Sequence, residues 1–275
     1  MVSFHLHLLS DATGETVRGV AKACFVQFTD VDTVEHNWPM VRTAAQVARV
    51  LQQAKDNPGV VMFTVVDEKL RRAIEDGCRE IKMPFIAVLD PVLVSLTALL
   101  KTEFRGQPGR QHELNAEYFG RIDAMTFAME QDDGQSASKL GNADVVLVAV
   151  SRSSKTPTCI YLANRGIKAA NVPFVPGIPL PLELLELDIA AGPLVVGLTS
   201  EPERLVQIRQ NRLRMIGEAR KTSYADLDIV KDEVAAALRI FREHNWPVID
   251  VTRRSIEETA STIFQLLERR RESNG

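Results

Sequence analysis

Val60 to Val66 and Val145 to Val150 are almost unbroken apolar stretches rich in β-branched residues. A strand with one wet face alternates apolar and polar side chains, whereas a strand apolar on both faces has to be covered on both. Each run ends at a polar residue and passes into a segment of helical periodicity. Phe85 to Leu89 repeats the pattern, and Thr43 to Lys55 places Val47, Val50, Leu51 and Ala54 on one helical face. Glu68 to Ile81 and Val92 to Phe104 read as further helices. Strands alternating with helices predict an α/β fold around a mostly parallel sheet.

The alternation breaks at Arg105-Gly-Gln-Pro-Gly-Arg110 and resumes at Asp144. Two α/β halves follow: a first domain over 1–104, a linker or crossover arm over 105–143 with one helical piece around Leu114 to Met129, and a second domain over 144–275. In the second half, Asn171 to Val175, Leu194 to Leu198 and Val248 to Val251 read as strands. Ser200-Glu-Pro-Glu203 and Ser255-Ile-Glu-Glu258 read as capping boxes opening helices. Near the N-terminus, Phe4, Leu6 and Leu8 alternate with His5 and His7, which predicts a strand with the histidines on its solvent or edge side.

Composition narrows the class. Of 275 residues, 45% are hydrophobic and 25% charged, as in a soluble globular protein, and a net charge of -3 supplies no basic field for nucleic acid. No apolar run approaches a membrane span. Met1 to Leu9 lacks the basic start and cleavage site of a signal peptide. Cys24, Cys78 and Cys159 have no metal-like spacing, so reduced thiols in a cytoplasmic protein are expected.

Chemistry concentrates after the second apolar run, at Ala149-Val150-Ser151-Arg152-Ser153-Ser154-Lys155-Thr156. Strand, small polar loop, Lys-Thr and helix is the order of a P-loop, in which backbone N–H groups at a helix start face phosphate oxygens. The second half therefore reads as a P-loop-type nucleotide-binding domain. Lys155 would lie along a β-phosphate, Thr156 would offer its hydroxyl to magnesium, and Arg152 adds a second cation. Ala149 and Ser154 stand where glycines are usual, so a different backbone path is expected. A polar turn with a surface lysine is the plain alternative.

Other candidates stay open. Asp11, in Ser10-Asp-Ala-Thr-Gly-Glu-Thr16, sits where open α/β sheets bind ligands and is either a base for a hydroxyl proton or a helix cap. His112-Glu113 is a weaker acid–base pair. Asp67, Asp90 and Asp250 end strands and are each either a metal ligand or a cap. Arg204, Arg209, Arg212 and Arg214 are either phosphoryl-neutralising guanidiniums or a solvated face.

Several of these segments also resemble one family. They are Leu9-Ser-Asp-Ala-Thr-Gly-Glu-Thr16, His112-Glu-Leu-Asn-Ala-Glu-Tyr-Phe119 through Asp132-Asp-Gly134, Val150-Ser-Arg-Ser-Ser-Lys-Thr-Pro157 with Ile160-Tyr-Leu162, Ala170-Asn-Val-Pro-Phe174, Leu198-Thr-Ser-Glu-Pro-Glu-Arg-Leu205 with Ile208-Arg209 and Asn211-Arg-Leu213, and Ile256-Glu-Glu-Thr-Ala260. Along nearly its whole length the chain resembles the bifunctional kinase/pyrophosphorylase regulators of pyruvate-metabolising dikinases. Thr13-Gly-Glu-Thr16 and Ser153-Ser154 look more like the branch acting on pyruvate, phosphate dikinase than the branch acting on phosphoenolpyruvate synthase.

The resemblance implies a serine/threonine kinase that uses ADP to phosphorylate a threonine beside the target's catalytic histidine. It also implies a phosphorylase that removes the mark with orthophosphate, releasing pyrophosphate. By position, Ala149 to Thr156 would bind ADP, and Lys155, Arg152 and Asp11 are the catalytic candidates. Pyruvate, phosphate dikinase is the implied protein partner, with neither nucleic acid nor membrane, and self-association into a homo-oligomer is left open. A small-molecule P-loop kinase and a non-catalytic nucleotide sensor are the rival readings.

Overall fold

β1 (Val2–Ser10) lies in the middle of the first sheet. In the computed structural model, which describes residues 2–109, 116–134, 137–188, 191–217 and 223–274, β1 pairs in parallel with β2 (Val31–Trp38) on one side and β3 (Gly59–Thr64) on the other. β4 (Phe85–Ala87) extends the sheet beyond β3, giving the order β2-β1-β3-β4. The connecting helices are α1 (Glu15–Phe25), α2 (Ala44–Asp56), α3 (Glu68–Glu80) and α4 (Asp90–Leu100).

The expectation that the β1 histidines lie on a solvent or edge side fails at His7, while His5 is half-buried. His7 is fully buried, and its Nε2 donates to the Asn57 carbonyl at 2.9 Å. Its ring stacks on His36 of β2, whose Nε2 is 2.9 Å from His5 Nδ1. Burial holds the His7 and His36 rings below the usual imidazole range, as expected where the charged form would lose its water.

The chain divides into two units, 1–113 and 114–275. Of the stretch between the two apolar halves, α5 (Ala116–Glu130) packs within the second unit. There β5 (Val145–Ala149) is central, between β6 (Ala169–Pro173) and β7 (Leu194–Thr199), with β8 (Val248–Asp250) outside β7. All pairs are parallel. The order β6-β5-β7-β8 repeats the winding of the first unit. Its helices are α6 (Lys155–Ala163), α7 (Leu182–Leu185), α8 (Pro202–Met215), α9 (Leu227–Glu243) and α10 (Ile256–Asn274).

Every residue of β5 is fully buried, as its unbroken apolar run requires. Its alternate side chains enter two cores, Val146 and Val148 facing one way, Val145 and Leu147 the other. α9 lies close on β7 because Gly197 has no side chain, and a Cβ there would fall 2.4 Å from Phe241. The capping box at Ser255 and Glu258 is present. That at Ser200 is not: no side chain caps α8, and the Ser200 hydroxyl instead accepts from Thr252 at 3.4 Å.

In both sheets the first strand is flanked by strands reached through crossovers of opposite sense. Its carboxyl end is thus a switch point, the position where open α/β sheets hold ligands. Residues 11–14 occupy that position after β1, and residues 150–154 occupy it after β5.

Candidate active site

Lys155 opens α6 and is buried, with its Nζ donating to the carbonyls of Ala149 and Val150 at 3.1 Å each. The amine therefore folds back over the loop it follows. Ala149 ends β5 and is not among the residues of positive φ, so the missing glycine costs nothing there. Positive φ falls instead on Arg152 (70°) and on Ser154 (58°), the residue before α6. Each left-handed non-glycine residue costs about 1–2 kcal/mol. Ser153 is buried between them, and its hydroxyl has no partner among the described residues.

Burial lowers the Lys155 pKa from 10.5 to about 8. The Asp133 carboxylate is the strongest charge opposing that shift; Cys159 and Asp132 also oppose it, and Arg209 adds to it. Burial pushes the Cys159 thiol well up. That thiol is neutral near pH 7, so the two aspartates are the charges that hold Lys155 protonated.

Asp132 and Asp133 are the residues that sequence reasoning missed as a site. The Thr156 hydroxyl donates to Asp132 Oδ1 at 2.7 Å, and Asn171 Nδ2 donates to the same oxygen at 2.6 Å. Asn171, buried on β6, also accepts from the Asp133 N–H at 3.1 Å. Asp133 itself is exposed with a left-handed φ of 50°. One carboxylate is thus tied to the loop threonine, while its neighbour is turned outward. The available signal was two adjacent carboxylates before a glycine in a polar stretch, which marks a turn without revealing its neighbour.

Asp132 and Thr156 present hard oxygens of the kind that suits a phosphate-bound magnesium ion. The other expected metal candidates are engaged locally. Asp67 caps α3 through the Leu70 N–H at 2.9 Å, Asp90 pairs with Arg71, and Asp250 accepts from the Thr252 N–H at 2.9 Å.

Asp11 belongs to the first unit. It is buried, its Oδ2 accepts from the Val66 N–H at 2.8 Å, and its carbonyl accepts from Arg42 Nε at 2.8 Å. Burial raises its pKa, against the Val66 bond. It does not cap α1, whose N-terminal flank is Gly14 at φ 83° with no side-chain cap. The carboxylate ties the end of β1 to the chain leaving β3, beside a small cavity of about 130 Å³ lined by Thr13, Gly14, Thr16 and Leu89. His112 and Glu113 lie outside the described residues. Of the four arginines, Arg204, Arg212 and Arg214 are exposed, while Arg209 is buried behind the loop.

Fold and site together define a class: an α/β protein of two like-wound units, the second with a cationic strand–loop–helix site flanked by two carboxylates. The chain belongs to the kinase/pyrophosphorylase family, whose profile matches residues 6–264. It is 55% identical to a protein of Paramagnetospirillum magneticum, over 100% of this chain and 88% of that relative. It is 54% identical to one of Rhodospirillum rubrum, over 97% and 96%, and 51% identical to one of Caulobacter vibrioides, over 96% and 83%. All three carry the provisional name pyruvate, phosphate dikinase regulatory protein. The resemblance drawn from the motifs is borne out.

Proposed function

We propose that this protein regulates pyruvate, phosphate dikinase by reversible phosphorylation of a threonine, with ADP as donor and orthophosphate as the agent of reversal. The observation that carries the reading is the buried Lys155, parked on two carbonyls of its own loop and flanked by Asp132 and Asp133. Full-length relatives named as regulators of that dikinase support the target and disfavour phosphoenolpyruvate synthase.

In the forward direction the threonine oxygen bonds to the β-phosphorus of ADP, the bond from that phosphorus to the bridging oxygen breaks, and AMP leaves. Lys155 and Arg152 neutralise the transferring oxygens. Asp133 takes the hydroxyl proton, being the exposed carboxylate beside the charge that holds the phosphate. In the reverse direction an orthophosphate oxygen attacks the phosphothreonine phosphorus, and pyrophosphate forms as the P–Oγ bond breaks. Asp133 takes the proton that the attacking orthophosphate loses and passes it to the departing threonine oxygen. Magnesium, held by Asp132 and Thr156, would add charge neutralisation. Asp11 keeps the role of anchoring the first unit's switch-point loop. The protein works in the cytoplasm, where its target's nucleotide and phosphate pools lie.

Incubation with ADP and the dikinase, followed by mass spectrometry, tests the reading. One phosphate on a dikinase threonine is expected. Phosphate only on a soluble metabolite points to a small-molecule kinase, and binding without turnover to a nucleotide sensor; either result refutes it.

A further inference from the structure

We propose that Arg209, Tyr224 and Glu233 form a bracket that holds the Ser151–Arg152 turn in its phosphate-receiving shape, with Tyr224 as the positioning residue for Arg152. The inference rests on the reading of the 150–154 loop as an anion site.

Arg209 of α8 is 1% exposed, one helical turn after the buried Leu205, and so points inward. A buried guanidinium is costly unless its donors are paired, and of its three nitrogens Nε alone lacks a partner among the described residues. Here Nη1 donates to the Tyr224 carbonyl at 2.9 Å, and Nη2 donates to the Ser151 carbonyl at 3.2 Å and to Glu233 of α9 at 2.7 Å. The guanidinium carbon lies 4.7 Å from the centre of the Tyr224 ring, within cation–π range. One planar group thus fixes a loop carbonyl, a helix and the turn at Ser223–Ala225. A lysine has neither the fork nor the flat face to do this.

Tyr224 carries the hold to the loop's outer side. Its hydroxyl is 3.0 Å from Ser151 Oγ and 3.4 Å from Arg152 Nε. Arg152 is exposed and left-handed, a conformation that lasts only where the surroundings over-determine it. The Tyr224 hydroxyl supplies that constraint at the side chain, and Arg209 supplies it at the preceding carbonyl. Neither residue is assigned contact with phosphate: both act through Ser151 and Arg152.

Tyr224→Phe removes the hydroxyl and keeps the ring stack and the carbonyl bond. The fold should be unchanged by urea unfolding. The loop must then be ordered by the ligand, so KM for ADP and for orthophosphate should each rise about five-fold, the effect of one hydrogen bond, while kcat changes less than two-fold. In a Ser151→Ala/Arg152→Ala background the same substitution should have no further effect, because its targets are gone. Unchanged KM values, a loss confined to kcat, or a full additional effect in that background would each overturn the bracket. Lys155→Ala separates this from the reading beneath it. If that variant binds ADP and orthophosphate as tightly as wild type, the anion site itself is wrong. If its binding is lost while Tyr224→Phe is silent, only the bracket fails.

Discussion

Replacing Lys155 by methionine should abolish phosphoryl transfer and yet stabilise the second unit near neutral pH. The Lys155 pKa falls from 10.5 to about 8 on folding, so the charged form costs about 3 kcal/mol in the folded state at 1.36 kcal/mol per unit. Methionine removes that cost and leaves the Ala149 and Val150 carbonyls without their donor, at about 1 kcal/mol each. The net gain is about 1 kcal/mol at pH 7. The sign with pH is definite. Below about pH 8 both folded and unfolded lysines are protonated, and the folded state bears the whole cost. Between about 8 and 10.5 the unfolded chain holds a proton that the folded chain has released, so wild-type stability rises with pH. The advantage of the methionine variant should shrink over that window, leaving only the carbonyl cost. Urea unfolding reads it, because Trp246 is buried in the second unit and Trp38, the other tryptophan, lies in the first. Orthophosphate should stabilise wild type and not the variant. A variant less stable by more than 2 kcal/mol at pH 7, or a difference that does not change from pH 7 to 10, would refute the reasoning.

Asp133→Asn should lower transfer in both directions by about two orders of magnitude; a near-normal rate would remove Asp133 as the base. Asp11→Ala strands the Val66 N–H and should cost the first unit about 2 kcal/mol, read as an earlier urea transition of Trp38 fluorescence, and an unchanged transition would contradict its anchoring role. Ser154→Gly relieves the left-handed strain before α6 and should add about 0.5–1 kcal/mol with transfer retained; a loss of stability would show that the serine side chain contributes more than its backbone strain costs.

The parts of this molecule legible in the sequence are those set by continuous burial. β3, β5 and β7 announce themselves because both their faces are covered, and their helices follow from single apolar stripes. β2 does not, since Val31–Trp38 is an edge strand of mixed polarity and largely exposed side chains. His7 of β1 was misplaced for a different reason: alternation suggests a wet face, yet His7 is buried, bonded to the Asn57 carbonyl and stacked on the His36 ring. At the candidate site, Lys155 and Thr156 were singled out from local order alone. Asp132 was not, because its proximity to Thr156 depends on Asn171 of β6, 39 residues on, bonding the same carboxylate oxygen. Arg209 could not be told from its three exposed neighbours, since only the fold shows which of four arginines points inward.

The central claim is that one anion site passes the same phosphoryl group in both directions. ADP labelled on its β-phosphorus, incubated with this protein and pyruvate, phosphate dikinase, tests it directly. The label should appear on a dikinase threonine, with unlabelled AMP released, and ATP labelled on its γ-phosphorus should not substitute. Addition of unlabelled orthophosphate should then return the label as pyrophosphate, in amount equal to that lost from the dikinase. Release of the label as orthophosphate, or transfer only from ATP, would contradict the claim.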